Sequence, residues 1–164
     1  MRRFTRILMM FVAVSAFVAC GDGGGPEATA TFAACTAPPL ETPVGFTGTL
    51  NLKQTSGTTA SGTLNLQPAG SCDSLTGSAT VTNADSGATC AGSIQLTCGQ
   101  DTFTCDISAA CELVNCSDLT VNQDAEDSIN ALEGIISDQN VQFCFDVETG
   151  QCDCPGGGTV TTTL

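Results

Sequence analysis

The stretch Gly45–Leu66, GFTGTLNLKQTSGTTASGTLNL, decides the fold class of this chain. Apolar and polar residues alternate along it on both sides of a polar turn that contains Ser56 and Gly57. An alternation with a period of two residues is typical of a strand that buries one face. The hexapeptide TGTLNL also recurs as SGTLNL, so the stretch predicts two similar strands joined as a β-hairpin.

The same pattern extends through weaker copies, TGSATV (Thr76–Val81) and AGSIQL (Ala91–Leu96). Each copy carries a glycine at its second position, and these glycines recur every 14 or 15 residues: Gly48, Gly62, Gly77 and Gly92. That interval fits one strand and one turn of an antiparallel meander. A parallel β-solenoid is the alternative, although its coils usually need a longer period. Because the glycines share the parity of the apolar residues, we expect each of them to let its strand bend sharply or to admit a close neighbour.

Alternation also predicts strands around residues 93–98, 102–108 and 141–148. It stops at Asp124–Ile136, where Ile129, Leu132 and Ile136 follow helical spacing and Asp124 can cap the first turn. We therefore predict an all-β, disulfide-rich fold with one short helix near 124–136. Its antiparallel meander would form a small barrel, a coiled sheet or a sandwich.

The N-terminus has a positive head at Arg2, Arg3 and Arg6, an apolar run Ile7–Val18, and Ala19 before Cys20. This arrangement, over Met1 to about Gly25, resembles the lipobox of bacterial lipoproteins, which implies that Cys20 is lipidated and anchors the protein to a membrane. By the same resemblance, a glycine rather than an aspartate after Cys20 favours the outer membrane. A plain signal peptide with Cys20 as an ordinary thiol is the alternative.

The cysteine count agrees with a lipid on Cys20, because 11 cysteines leave one unpaired in an exported chain. The other ten are disulfide candidates: Cys35, Cys72, Cys90, Cys98, Cys105, Cys111, Cys116, Cys144, Cys152 and Cys154. Spacing suggests that Cys144 joins Cys152 or Cys154, and that Cys111 joins Cys116. A metal–thiolate site at Cys152 and Cys154 is the alternative, but an exported chain favours disulfides.

Composition changes along the chain predict three segments: a signal peptide at 1–19, a tether rich in Gly, Ala, Thr and Pro at 20–44, and a β domain at 45–164. From Cys20 onward there are 17 acidic residues and one basic residue, Lys53, for a net charge of −16. Such a chain repels phosphate backbones and anionic head groups, which excludes nucleic acid as a partner.

No catalytic constellation stands out in the sequence. Histidine is absent, and serine and threonine fall mainly on the outward parity of the predicted strands, where they are ordinary β surface. We expect no cofactor and no enzymatic activity, with a carboxylate-dependent hydrolase as the remote alternative. The weak calcium candidates are Asp146, Glu148 and Asp153; the other acidic cluster is Asp118, Asp124, Glu126 and Asp127. Neither set has EF-hand spacing, so solvated acidic surface is the expectation.

These observations predict a non-enzymatic, membrane-anchored envelope lipoprotein that serves as a structural or interaction module, with an unidentified protein as a possible partner. The first hairpin, Gly45–Leu66, also loosely resembles the hairpins of lipocalin-like barrels. That resemblance implies the alternative, a small-ligand-binding lipoprotein. A filled interior crossed by disulfides would favour the first function, and a continuous apolar cavity would favour the second.

Overall fold

The computed structural model of the chain describes residues 27–37, 44–56, 59–70, 72–82, 89–110, 112–136, 138–146 and 150–163. The strands of the described part are β1 (Glu27–Thr36), β2 (Gly45–Ser56), β3 (Thr59–Pro68), β4 (Ser74–Thr82), β5 (Thr89–Cys98), β6 (Asp101–Ile107), β7 (Leu113–Val114), β8 (Gly150–Asp153) and β9 (Thr159–Thr163). Its helical elements are a 3₁₀ turn, Leu119–Val121, and the helices α1 (Gln123–Ile136) and α2 (Gln139–Asp146).

All nine of these strands belong to one antiparallel sheet in the order β7-β6-β5-β4-β3-β2-β1-β9-β8. Strands β1 to β7 form an uninterrupted meander, and the C-terminal β8–β9 hairpin returns to pair with β1. The predicted antiparallel all-β fold is confirmed, and the solenoid alternative is wrong. The barrel form is also wrong, because β7 and β8 are the two edges of an open sheet.

The alternation seen in the sequence places apolar side chains on one face of the sheet, which we call the inner face. Pairing aligns them across strands, as in the row Phe32, Gly48, Leu66, Leu75, Leu96 and Phe103. Helix α1 adds Ile129, Leu132 and Ile135, each at most 2% exposed, to the same core cluster. The sheet and the helix therefore bury one shared core, which neither element can form alone.

Gly48 shows why the repeat needs a glycine. Its φ is +146°, and a β-carbon there would lie 2.2 Å from the backbone oxygen of Asn65 on the neighbouring strand. A side chain at this position would collide with backbone, which cannot rotate away. The prediction that an inner-face glycine admits a close neighbour is confirmed here.

Strand β1 was not predicted, because the composition of residues 27–36 indicates a tether. The predicted boundary at residue 44 is therefore too late, since β1 pairs with both β2 and β9. Its apolar parity is broken by a β-bulge between Phe32 and Cys35, where Ala34 has φ +49°. The extra residue lets Phe32 and Cys35, three positions apart, both face the core.

The helices correct two further expectations. Helix α1 matches the predicted helix, but Asn122 caps it rather than Asp124: the Ala125 amide donates to Asn122 Oδ1 at 3.2 Å. The strand predicted around 141–148 is wrong, because residues 139–146 form α2. Asp138 accepts hydrogen bonds from the amides of Asn140 and Val141, which is an N-cap arrangement. The alternating pattern of the following residues predicted a strand instead of this capped helix.

Within the part of the chain that the structure describes, no helix has both the length and the apolar character needed to cross a bilayer.

Candidate functional site

Disulfides account for most of the cysteines singled out in the sequence. The described pairs are Cys35–Cys154, Cys72–Cys98, Cys105–Cys116 and Cys144–Cys152. The expected link from Cys144 to the 152–154 segment is confirmed, while the suggested Cys111–Cys116 pair is wrong. The alternating strand predicted around 141–148 would place Cys144 on its outward face, but Cys144 is fully buried on α2.

Cys90 is also disulfide-bonded, and its partner lies outside the described residues. Cys111 and the proposed lipidation residue Cys20 both lie outside that part too. The backbone amide of Cys90 donates to the carbonyl of Ala109, two positions before Cys111.

The acidic clusters form no metal site among the residues described. Of the first calcium candidates, Asp153 is exposed at the end of β8, while the side chain of Asp146 and all of Glu148 fall outside the description. In the second cluster, Asp118 instead caps the 3₁₀ turn by accepting from the amide and hydroxyl of Thr120. These hydrogen bonds lower the pKa of Asp118 by stabilising its charged form.

The turn Pro155–Gly158 reaches back to the bulge of β1. The amide of Thr36 donates to the carbonyl of Gly157 at 2.9 Å, and the amide of Gly156 donates to the carbonyl of Thr36 at 2.8 Å. Gly158 has φ +78°, and a β-carbon there would lie 2.1 Å from the Ala34 oxygen. Together with Cys35–Cys154, these contacts join the bulge of β1 to the turn Pro155–Gly158.

The solvent-exposed side of the sheet is a large polar surface. We call the outward side chains of β1–β5 and β9 the outer face. Its members include Glu27, Thr29, Thr31, Ala33, Thr47, Thr49, Asn51, Lys53, Ser56, Thr59, Ser61, Thr63, Asn65, Gln67, Ser74, Thr76, Ser78, Thr80, Thr82, Thr89, Ala91, Ser93, Gln95, Thr97, Thr159, Thr161 and Thr163. Apart from Glu27, Lys53, Ala33 and Ala91, each of these residues is Thr, Ser, Asn or Gln. The alternating pattern predicts these residue types on outward strand faces, and strand pairing brings them together.

Pairing also aligns the outer face into rows that cross the strands. One row runs through Thr161, Thr31, Thr49, Asn65, Thr76 and Gln95, and the next through Thr163, Thr29, Asn51, Thr63, Ser78 and Ser93. Within the second row, the Thr29 hydroxyl donates to Asn51 Oδ1 at 3.0 Å. The distance between the strands, about 4.8 Å, sets the spacing between neighbours along a row.

The one ion pair of the described residues lies at the end of the outer face, where Lys53 Nζ donates to Glu27 Oε1. The hydrogen bond and the charge of Lys53 lower the pKa of Glu27. Both side chains are more than half exposed, so solvent screens this pair at the first residue of β1. The opposite shift occurs at Glu133 on α1, where partial burial raises the pKa.

Two shallow depressions lie on the outer face. The first, of about 260 Å³, lies at the pair and is lined by residues of β1–β3 that include Asn51, Lys53 and Ser61. The second, of about 300 Å³, crosses β3–β5 beside Thr76 and Gln95. Their linings combine outward polar side chains with residues that include Leu52 at the first and Leu64 at the second.

The chain matches no family model, no curated protein and no solved structure.

Proposed function

We propose that this protein is an exported lipoprotein, held in the cell envelope by lipid on Cys20, whose β domain is a non-enzymatic structural or interaction module. The outer membrane is the proposed site, on the basis of Gly21 after Cys20. The observation that carries the proposed role is the filled inner face: α1 occupies the space that a ligand-binding interior would need. Four described disulfides cross-link this small domain, as expected of a protein exposed to an oxidising compartment.

The position of β1 makes the proposed tether short. Only residues 21–26 separate Cys20 from Glu27, where the sheet begins. Fully extended, the links from Cys20 to Glu27 span at most about 25 Å. The domain would therefore stay beside the membrane and meet partners at the membrane surface rather than reach far from it.

The anchor is tested by the variant Cys20→Ser, with Asp22→Asn as a neighbouring substitution that leaves the cysteine intact. We expect the serine variant to leave the membrane fraction or to remain unprocessed, while Asp22→Asn keeps the mass of a lipidated mature chain. The proposal fails if Cys20→Ser fractionates with membranes and has the same mature mass as the unaltered protein.

The role of the domain is tested by native mass spectrometry of protein purified in detergent. We expect a mass equal to the mature chain and its lipid, because the core beneath the sheet is already filled. A stoichiometric small molecule that co-purifies, and that is lost on unfolding, would overturn this role in favour of a ligand-binding lipoprotein.

A further inference from the structure

We infer that the β domain meets the bilayer through one end of its sheet and stands upright on it. We call this end the anchor end: β1 and β3 begin there at Glu27 and Thr59, and β2 and β9 end there at Ser56 and Thr163. The inference rests on the proposed lipid on Cys20, and it deepens that function by assigning the surface that faces lipid.

Strand pairing places the first described residue at the anchor end. Glu27 pairs with Lys53 of β2, and Lys53 pairs with Ser61 of β3, so the start of β1 is level with the end of β2 and the start of β3. On the other side of β1, β9 also ends at this level. Residues 21–26 therefore connect Cys20 directly to the anchor end.

The length of β1 excludes the inverted orientation. The ten residues of Glu27–Thr36 form one strand. If the opposite end of the sheet lay on the lipid, Glu27 would be about 30 Å from the bilayer surface, because a strand rises about 3.3 Å per residue. The link from Cys20 to Glu27 spans at most about 25 Å, so it cannot reach that far. The domain must therefore stand on the anchor end or lie on one of its sides.

Neither side of the sheet is suited to lie on a bilayer. Proteins that lie on an anionic membrane surface use clusters of Lys and Arg together with large apolar side chains. From Cys20 onward the one basic residue is Lys53, which is paired with Glu27, and the neighbouring strands β6 and β8 add the exposed acids Asp106 and Asp153 to this side. The other side is covered by α1, where Asp124 is exposed.

An anionic leaflet repels both of these sides, since each carries exposed acidic residues without a basic cluster. A body that is tethered at one end and repelled along its sides turns its tethered end toward the surface. The anchor end is therefore the part of the domain that faces lipid head groups.

The upright orientation determines which part of the domain projects into the aqueous phase. The turn Pro155–Gly158 precedes β9, which ends at the anchor end, so this turn lies at the opposite end of the sheet. The disulfide Cys35–Cys154 and backbone hydrogen bonds join it to the bulge of β1. A partner that approaches from the aqueous side can reach this turn without contact with lipid.

Energy transfer from a tryptophan to dansyl groups on lipid head groups tests the orientation. The chain has no tryptophan, so each single variant carries one donor. Ser56→Trp places the donor at the anchor end, and Gln67→Trp places it at an exposed position of β3. The two positions are about 26 Å apart along the strands. In vesicles of phosphatidylethanolamine and phosphatidylglycerol, lipidated Ser56→Trp should transfer energy at least twice as efficiently as Gln67→Trp.

A second pair, Thr163→Trp and Ala69→Trp, repeats the comparison at other exposed positions near the two ends, so that the result does not depend on one variant folding. Flotation of each sample with its vesicles reports attachment separately. Equal or reversed efficiencies in protein that floats overturn this inference and leave the anchor proposal intact. If the mature protein does not float with vesicles, the anchor proposal fails and this inference fails with it.

Discussion

Cys35 and Cys154 are 119 residues apart in the chain, yet a disulfide joins them, with their α-carbons 5.4 Å apart. This bond fastens the bulge of β1 to the turn that precedes β9. It closes the longest loop of any described disulfide, whereas Cys105–Cys116 closes a loop of only 11 residues.

The first prediction compares these two bonds by replacing each pair with alanine. Loop-closure entropy makes the loss of unfolding free energy about 4–5 kcal/mol for Cys35→Ala/Cys154→Ala and about 3 kcal/mol for Cys105→Ala/Cys116→Ala. Urea unfolding under oxidising conditions measures both. An equal or reversed order would contradict loop-closure entropy as the main source of the stabilisation by these two disulfides.

The second prediction concerns the close approach of strands at Gly48. Gly48→Ala should lower the free energy of unfolding by about 3–5 kcal/mol, because it adds both backbone strain and a collision with Asn65. Gly70→Ala is the control: its φ is +142°, but no atom lies within 4 Å of the added carbon, so only about 1–2 kcal/mol is expected. Similar losses in the two variants would show that the collision is relieved by movement of the strand.

The third prediction uses the ion pair at the start of β1. Lys53 lowers the folded-state pKa of Glu27, so the pair stabilises the fold above the unfolded pKa of a glutamate, about 4.3. That contribution is lost as the pH falls through the lower, folded pKa. The melting temperature of Lys53→Gln should therefore lie below that of the unaltered protein at pH 7, and the difference should close in acid.

Asn130→Asp controls for the unit change in net charge, because it lies on α1 away from the pair. If this variant shows the same pH-dependent difference as Lys53→Gln, then overall repulsion rather than the Glu27–Lys53 pair is responsible.

The fourth prediction is resistance to trypsin. After Arg6, Lys53 is the only trypsin site, and its backbone lies within β2, paired with Glu27 on one side and Ser61 on the other. The oxidised mature protein should stay intact, and reduction should allow a single cut, because the disulfides limit opening of the sheet. Gln100→Lys, in an exposed turn, should be cut without reductant and serves as the positive control. Rapid cleavage at Lys53 in the oxidised protein would disprove the account.

Local pattern was enough to predict the central strands. In β2 through β6, alternation predicts which side chains face the core. Strands that follow each other in the chain also pair with each other, so their pairing needs no contact between distant parts of the chain. The buried face of α1 follows in the same way from Ile129 and Leu132. The outer face was foreseeable as polar strand surface, although its continuity depends on which strands are neighbours.

The sequence by itself determined an antiparallel β chain, one amphipathic helix, an even set of ten cysteines apart from Cys20, and a strongly acidic surface. Only the tertiary structure decided that β1 lies between β2 and β9, that α2 replaces an alternating strand, and that Cys105 rather than Cys111 pairs with Cys116. Those choices depend on contacts between residues far apart in the chain and on a bulge that shifts parity after Phe32. Alternation predicts only which residues of one strand share a face. It therefore cannot predict which distant strand or cysteine becomes the partner in the folded protein.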